Sequence, residues 1–342
     1  MALHLKNLEN QRVIITGATS GIGLATARMA AEHGARLVLA ARDEKSLREL
    51  CDEINNAGGE AVHVAVDVGD NAQVYRITQT AIDTFGGFDT WINNAGVSLY
   101  GNMLDIDEED YHRLFDTTYW GVVYGSLEAA RYLSKRRDGY AGAIINIGSV
   151  ASDQAIPYQG MYSAAKHAVK GFTDALRMEL EHAGAPISVT LIKPASIATP
   201  YPEHAGNVMD TEPTLPPPLY EPRIVARSIL YCAEHPRRDM YVGGGGRLMA
   251  AMGHCAPRLM DKIMSAKVIG QQQTDKPEHR RHFALQEPAT DMRERTRYSR
   301  HVSKTSLYTN ASMHPVLTTT VLAGALIGAV ALAGRGSRTN AR

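Results

Sequence analysis

Residues 12–33, RVIITGATSGIGLATARMAAEH, run from a β-branched stretch through a glycine-rich turn into an alanine-rich segment. Arg12–Thr16 has the composition of a short buried strand, and Leu24–His33 that of a helix. Between them Gly17, Gly21 and Gly23 permit a tight turn and close approach of another group to the backbone. Thr19, Ser20 and Ile22 complete the turn. A helix beginning near Ile22 presents free N–H groups and its positive dipole end to whatever lies there. A pyrophosphate fits that description, as it does where the first strand of a dinucleotide-binding sheet meets its first helix. A structural turn would contain the same glycines, so the reading rests on the strand before it and the helix after it.

Outward from this turn the pattern repeats. Leu37–Ala41, Ala61–Val66, Thr90–Asn93, Ala143–Ile147, Ile187–Ile192 and Met240–Val242 are short apolar runs, and Glu44–Ile54, Ala72–Phe85 and Arg223–His235 carry helical spacing. Strands alternating with helices imply right-handed crossovers and a parallel sheet covered on both faces. The expected fold is α/β, a doubly wound, Rossmann-like domain over residues 1–246. Within it the proline-rich residues 201–222 are expected to be irregular, forming either a cover on the substrate side or a surface excursion. Residues 247–270 form a Met-rich helical extension interrupted at Pro257. It is compatible with packing on the domain, with lining an apolar entrance, or with lying on a membrane. Residues 271–314 are polar and mixed in charge, which predicts a linker.

Residues 315–334 include Val316–Gly334, 19 residues without a charge. That is the length needed to cross a bilayer core, so a transmembrane anchor is expected, with Gly324 and Gly328 as a GxxxG pair. A buried C-terminal helix is the competing reading.

Whole-chain arithmetic limits the function classes. The 342 residues include 36 Lys+Arg and 36 Asp+Glu. A zero net charge argues against nucleic acid as a partner. The three cysteines, Cys51, Cys232 and Cys255, are too scattered for a disulfide framework. No histidine spacing suggests a metal site, so no metal is expected. The first residues, MALHLKNLENQ, hold no signal-like apolar run. The expected placement is membrane-anchored, with the catalytic domain in the cytoplasm.

Arg42 follows the second strand, where a dinucleotide site faces the adenosine ribose. An arginine there pairs with a 2′-phosphate, which favours NADP over NAD, although the adjacent Asp43 would reverse that preference if the register moved by one. Asp67 and Val68 close the third strand, where a carboxylate could accept from adenine or simply cap a turn. Tyr162 and Lys166 lie one helical turn apart on one face. A nearby ammonium favours the phenolate and lowers a phenol pKa that is otherwise near 10, so the pair can act as acid or base. Ser149, after the Ile144–Ile147 strand, could hydrogen-bond a substrate oxygen.

TGATSGIG (16–23), NNAG (93–96), the serine of NIGS (146–149) and YSAAK (162–166) together resemble the short-chain dehydrogenase/reductase family over about residues 10–245. The resemblance implies a seven-stranded parallel sheet, a nicotinamide dinucleotide, and hydride transfer between a hydroxyl and a carbonyl in a homodimer or homotetramer. It makes Tyr162 the proton donor and acceptor, with Lys166 lowering its pKa and holding the nicotinamide ribose. Ser149 would orient the substrate oxygen. Asn94 would lie near the cofactor, Asp67 and Val68 near adenine, and Ile197 and Thr199 near the carboxamide.

Two positions depart from the family pattern. Thr118 stands where an asparagine is usual, and Ala195 stands in place of the glycine of a Pro-Gly pair. The expected function is an NADP(H)-dependent oxidoreductase acting on a carbonyl or secondary alcohol of an apolar small molecule. The alternative is a weakly active or inactive cofactor-binding scaffold or sensor at a membrane.

Overall fold

A computed structural model of the chain describes residues 3–278, 284–297, 301–314 and 318–320. Seven strands, β1 (Arg12–Thr16), β2 (Arg36–Ala41), β3 (Glu60–Ala65), β4 (Thr90–Asn93), β5 (Gly142–Ile147), β6 (Ile187–Pro194) and β7 (Asp239–Val242), form one sheet. Every neighbouring pair is parallel, in the order β3-β2-β1-β4-β5-β6-β7. β5 and β6 are buried along their whole length, the continuous apolar pattern of strands covered on both faces. The expected α/β sheet is therefore present, with strand ends within two residues of those anticipated.

Helices α1 (Gly21–Glu32), α2 (Glu44–Asn56) and α7 (Pro222–Glu234) cover one face, burying Leu24, Leu47 and Ile229 with Leu37, Ile145 and Ile192 of the sheet. On the other face, α3 (Asn71–Phe85) and α5 (Gly121–Leu133) pack Val74, Ile77 and Ala129 against Ile14, Trp91 and Ile144. α6 (Gly160–His182) lies beside β6, where buried Arg177 donates from Nε to the Val189 carbonyl at 2.8 Å. Local sequence explains the helix ends. Asp43 and Asp70 cap α2 and α3 by accepting from the Ser46 and Ala72 N–H groups, and Gly86 ends α3 in the left-handed region.

Strand order reverses between β1 and β4, so their carboxyl ends diverge and open a crevice where the glycine-rich turn meets Asn94–Gly96. α4 (Glu108–Phe115) reaches α5 through a π-helical turn at Asp116–Trp120. Thr118 sits inside that turn, fully buried; its Oγ1 donates to the Val97 carbonyl and accepts from the Val97 N–H, both at 3.1 Å. The hydroxyl thus ties down the irregular turn without an amide side chain.

Two expectations change beyond β6, at residues 201–222 and 271–314, while the Met-rich extension is helical with a break at Pro257 as expected. The loop at 201–222 is not wholly irregular, for it contains the short strands Gly206–Asn207, Thr211–Pro213 and Leu219–Tyr220. The Met-rich extension forms α8 (Gly244–Cys255) and α9 (Pro257–Ile263), with Met260 and Met264 buried and Leu248 and Leu259 exposed. The described parts of 271–314 are seated on the domain rather than strung out as a linker.

Gln273–Pro277 pairs with Thr211–Pro213, Val302–Ser303 pairs with Leu219–Tyr220, and helix Leu307–Met313 packs against β7, α7 and α8. The polar composition that suggested a tether serves ion pairs with the domain: Arg293 with Glu203, Glu294 with Arg28, and Arg295 with Glu221. Of the proposed anchor at 315–334 only Thr318–Thr320 are described, and the rest lies outside the described residues. Among the described residues no helix is long and apolar enough to cross a membrane.

Candidate active site

The glycine-rich turn is built too tightly for side chains. A Cβ on Gly23 would lie 2.0 Å from the Gly17 carbonyl oxygen; one on Gly17 (φ +65°) would lie 2.8 Å from the Ala95 Cα. Asn94 braces the turn by donating its amide to the Thr16 and Gly17 carbonyls at 3.0 and 3.1 Å. Thr16 Oγ1 accepts from the N–H groups of Asn94 and Ala95. Asn94 borders the cleft, but its side-chain donors serve the protein. Thr19, Ser20, Gly21 and Ile22 line the same cleft, and Gly23 is buried beneath it.

Arg42 lies at the cleft's edge past β2, as expected, and Asp43 is engaged in capping α2. Asp67 accepts from the Gly69 N–H at 2.9 Å and pairs with Arg113, a residue that sequence reasoning did not single out. Burial pushes the Asp67 carboxyl up, but Arg113 and the Gly69 N–H bring it below its ordinary value. Val68 lines the cleft beside it.

At the other end β5 delivers Ser149 and α6 delivers Tyr162 and Lys166, each at least nine-tenths buried. Ser149 caps a short turn, its Oγ accepting from the Ala151 N–H at 3.1 Å. Lys166 Nζ lies 5.7 Å from the Tyr162 ring centre and donates to the Ile147 carbonyl at 2.6 Å. Burial raises the Tyr162 phenol above its ordinary value, while hydrogen bonds with Tyr201 and Ser149 act in the opposite sense. Burial also pushes Lys166 down to about 8. The net direction at Tyr162 is the reverse of that expected from the Tyr/Lys spacing, because burial penalises the phenolate by more than the hydrogen bonds with Tyr201 and Ser149 favour it.

Tyr201 is the second unanticipated residue. Its ring centre is 5.5 Å from that of Tyr162, and its hydroxyl bonds to Gln159 Oε1 at 3.2 Å. Gln159 donates in turn to Gln272 Oε1 at 2.6 Å. Gln159 precedes Tyr162 by three residues, a helical spacing that was there to be read. Tyr201 and Gln272 come from distant loops and left no local signal. Ile197 and Thr199 border the cleft after β6. Ala195 is not among the described non-glycine residues with left-handed φ, which are Tyr158 and Met292. Its methyl faces Gly243 and Gly246, where a Cβ would come within 2.9 and 3.1 Å.

The donor set fits a dinucleotide: a backbone cradle that any Cβ would fill, a guanidinium at one end, and a phenol, hydroxyl and ammonium at the other. Among the described residues no cluster suits a metal ion.

This arrangement defines a doubly wound oxidoreductase fold with its cleft at the topological switch point. Residues 11–207 match the model of the short chain dehydrogenase family, and the chain belongs to that family. The uncharacterized oxidoreductase YxnA of Bacillus subtilis (strain 168) is 45% identical over 331 residues, 96% of this chain and 92% of that one. Among solved structures, a short-chain dehydrogenase/reductase from Burkholderia phymatum in complex with NAD is similar at a TM-score of 0.67 and 26% identity. It covers 80% of this chain and 100% of its own. An alcohol dehydrogenase from Thermococcus sibiricus complexed with 5-hydroxy-NADP shares the fold at a TM-score of 0.59 and 22% identity, covering 68% of this chain and 95% of its own.

Proposed function

We propose that this short-chain dehydrogenase/reductase uses NADP(H) to interconvert a carbonyl and a secondary alcohol on an apolar substrate. The observation that supports this most is the buried Tyr162 phenol, which lines with Ser149 and Lys166 the same cleft as the glycine-rich turn. The turn and Arg42 would hold the phosphates, Asp67 and Val68 the adenine, and Ile197 and Thr199 the carboxamide. A nicotinamide held there would supply or accept the hydride. Ser149 hydrogen-bonds the substrate oxygen and aims it at Tyr162. Tyr162 gives its phenolic proton to that oxygen on reduction and takes it back on oxidation. Lys166, held by the Ile147 carbonyl, places a positive charge behind the phenol and would bind the nicotinamide ribose.

NADP is favoured over NAD because Arg42 brings a cation to the ribose while Asp43 is occupied by α2. The cleft walls Val97, Ile156, Leu215 and Pro216 favour an apolar substrate. The reading extends to a homodimer or homotetramer held at a membrane by residues 315–334, with the catalytic domain in the cytoplasm. The scaffold alternative, suggested by Thr118 and by the GxxxG pair at Gly324 and Gly328, is not favoured, since Thr118 Oγ1 is bonded to both backbone groups of Val97 and holds its turn.

The test is NADPH oxidation against a panel of apolar ketones and aldehydes. Tyr162→Phe is expected to lower turnover by about 10²- to 10⁴-fold, the usual worth of a general acid. Turnover that survives the substitution would defeat the assignment.

A further inference from the structure

The donors that a dinucleotide's phosphates would use are already engaged by the chain itself. Arg42 Nη1 donates to the Leu285 carbonyl at 3.0 Å, and its Nη2 donates to the carbonyls of Ala284 and, at 3.3 Å, Glu287. Arg113 Nε donates to the same Leu285 carbonyl at 2.8 Å. At the start of α1 the Gly21 N–H donates to the Arg293 carbonyl at 2.8 Å. Ala284, Pro288 and Ala289 line the cleft together with the glycine-rich turn, and the Leu285 side chain is fully buried.

We infer that residues 284–293 form an autoinhibitory strap that occupies the adenosine-phosphate end of the cleft, so that a dinucleotide must displace it to bind. This inference rests on the dinucleotide reading of the cleft. A guanidinium fork and a helix-terminal N–H are the groups that recognise a phosphate, and backbone carbonyls here take the places of phosphate oxygens. One set of donors cannot serve both at once.

The exchange favours the ligand, because the carbonyls that Arg42 meets are neutral, whereas a phosphate would bring it a full counter-charge. Asp67, the carboxylate beside Arg42, is committed to Arg113. Side chains also hold the strap at points away from the glycine-rich turn. Glu203 accepts from Arg293 at 2.7 Å, from Thr296 Oγ1 at 2.7 Å and from the Arg297 N–H at 2.9 Å, and His204 pairs with Asp291.

The test uses the full chain and two substitutions that loosen the strap from different sides. Leu285→Asp places a charge in its buried seat, and Glu203→Gln weakens its outer anchor. Dissociation constants for NADPH, NADH and 2′,5′-ADP are read by calorimetry, with circular dichroism to check folding. Exchange of the amides of residues 284–293 is followed by hydrogen–deuterium mass spectrometry with and without NADPH.

Both variants are expected to bind the preferred dinucleotide about 5- to 20-fold more tightly than the wild type, and NADPH is expected to speed exchange in the strap. If Leu285→Asp fails to fold, Glu203→Gln carries the same expectation. Unchanged or weaker binding in a folded variant, or slower exchange with NADPH, would overturn the inference and make the segment a lid that closes over the ligand. Tighter NADH with no NADPH binding would support the strap and defeat only the NADP preference. Failure of every dinucleotide to bind wild type and variants would defeat the cofactor reading and the strap with it.

Discussion

Arg42 distinguishes the two cofactors by charge, since a guanidinium gains from a 2′-phosphate what it cannot gain from two hydroxyls. Any cost of displacing residues 284–293 falls on NADPH and NADH alike, so the informative quantity is the ratio of their affinities. Arg42→Ala is expected to lower the preference for NADPH over NADH by about 10- to 100-fold, the worth of a charge-assisted contact, measured as two dissociation constants. An unchanged ratio would show that the ribose lies elsewhere. Motif residues split into two kinds at this scale. Gly17, Gly23 and Asn94 shape the turn, and their spacing made that legible. The balance at Tyr162 and Lys166 was not legible, because helical spacing gives proximity but not the depth of burial that governs both groups.

At the scale of the element, the start of β4 is organised around Asp89. This carboxylate is almost wholly buried and meets Lys6 at 2.8 Å, Arg12 at 2.9 Å and Arg136 at 2.7 Å, joining the N-terminal segment, β1 and the end of α5. Burial pushes its carboxyl up, but the hydrogen bonds from Arg12 and Lys6 more than offset this and hold it well below the usual carboxylate range. A depressed folded-state pKa gives stability that is present above the unfolded value of about 3.9 and is lost as pH falls through the folded value.

Asp89→Asn is therefore expected to cost about 3–5 kcal/mol at pH 7, because three cations lose their buried partner. Urea unfolding should show that gap narrowing once the pH falls below about 4. A constant gap would place the effect in packing. Strands β1 and β4 and helix α3 beside this cluster were legible from periodicity, whereas α5 was not read from the sequence. The π-helical turn at Asp116–Trp120 was not, because its backbone is fixed by Thr118 reaching across to Val97.

At the scale of the molecule, the segment beyond β7 differs most from its sequence reading. Its described residues wrap the domain through two small sheets, a helix and ion pairs, and 284–293 enter the cleft. The membrane proposal concerns residues 315–334 and is tested on whole cells. The full chain is expected to sediment with membranes and to be released by detergent but not by high salt, whereas a chain ending at His314 stays in the supernatant. Equal partition of both into the supernatant would defeat it.

By itself the sequence determined the sheet, helices α1, α2, α3 and α7, the glycine-rich turn and the placing of Tyr162 and Lys166 one helical turn apart. Those features depend on residues close along the chain, where the 2- and 3.6-residue periods and the lack of a Cβ act directly. The seating of residues 284–293 on Arg42, the meeting of Tyr201 with Tyr162 and the Arg113–Asp67 pair join residues 39 to 245 positions apart. Only the tertiary structure decided these. A polar segment has the same composition whether its hydrogen bonds go to water or to the protein, and the partner that makes the difference is supplied by the rest of the fold.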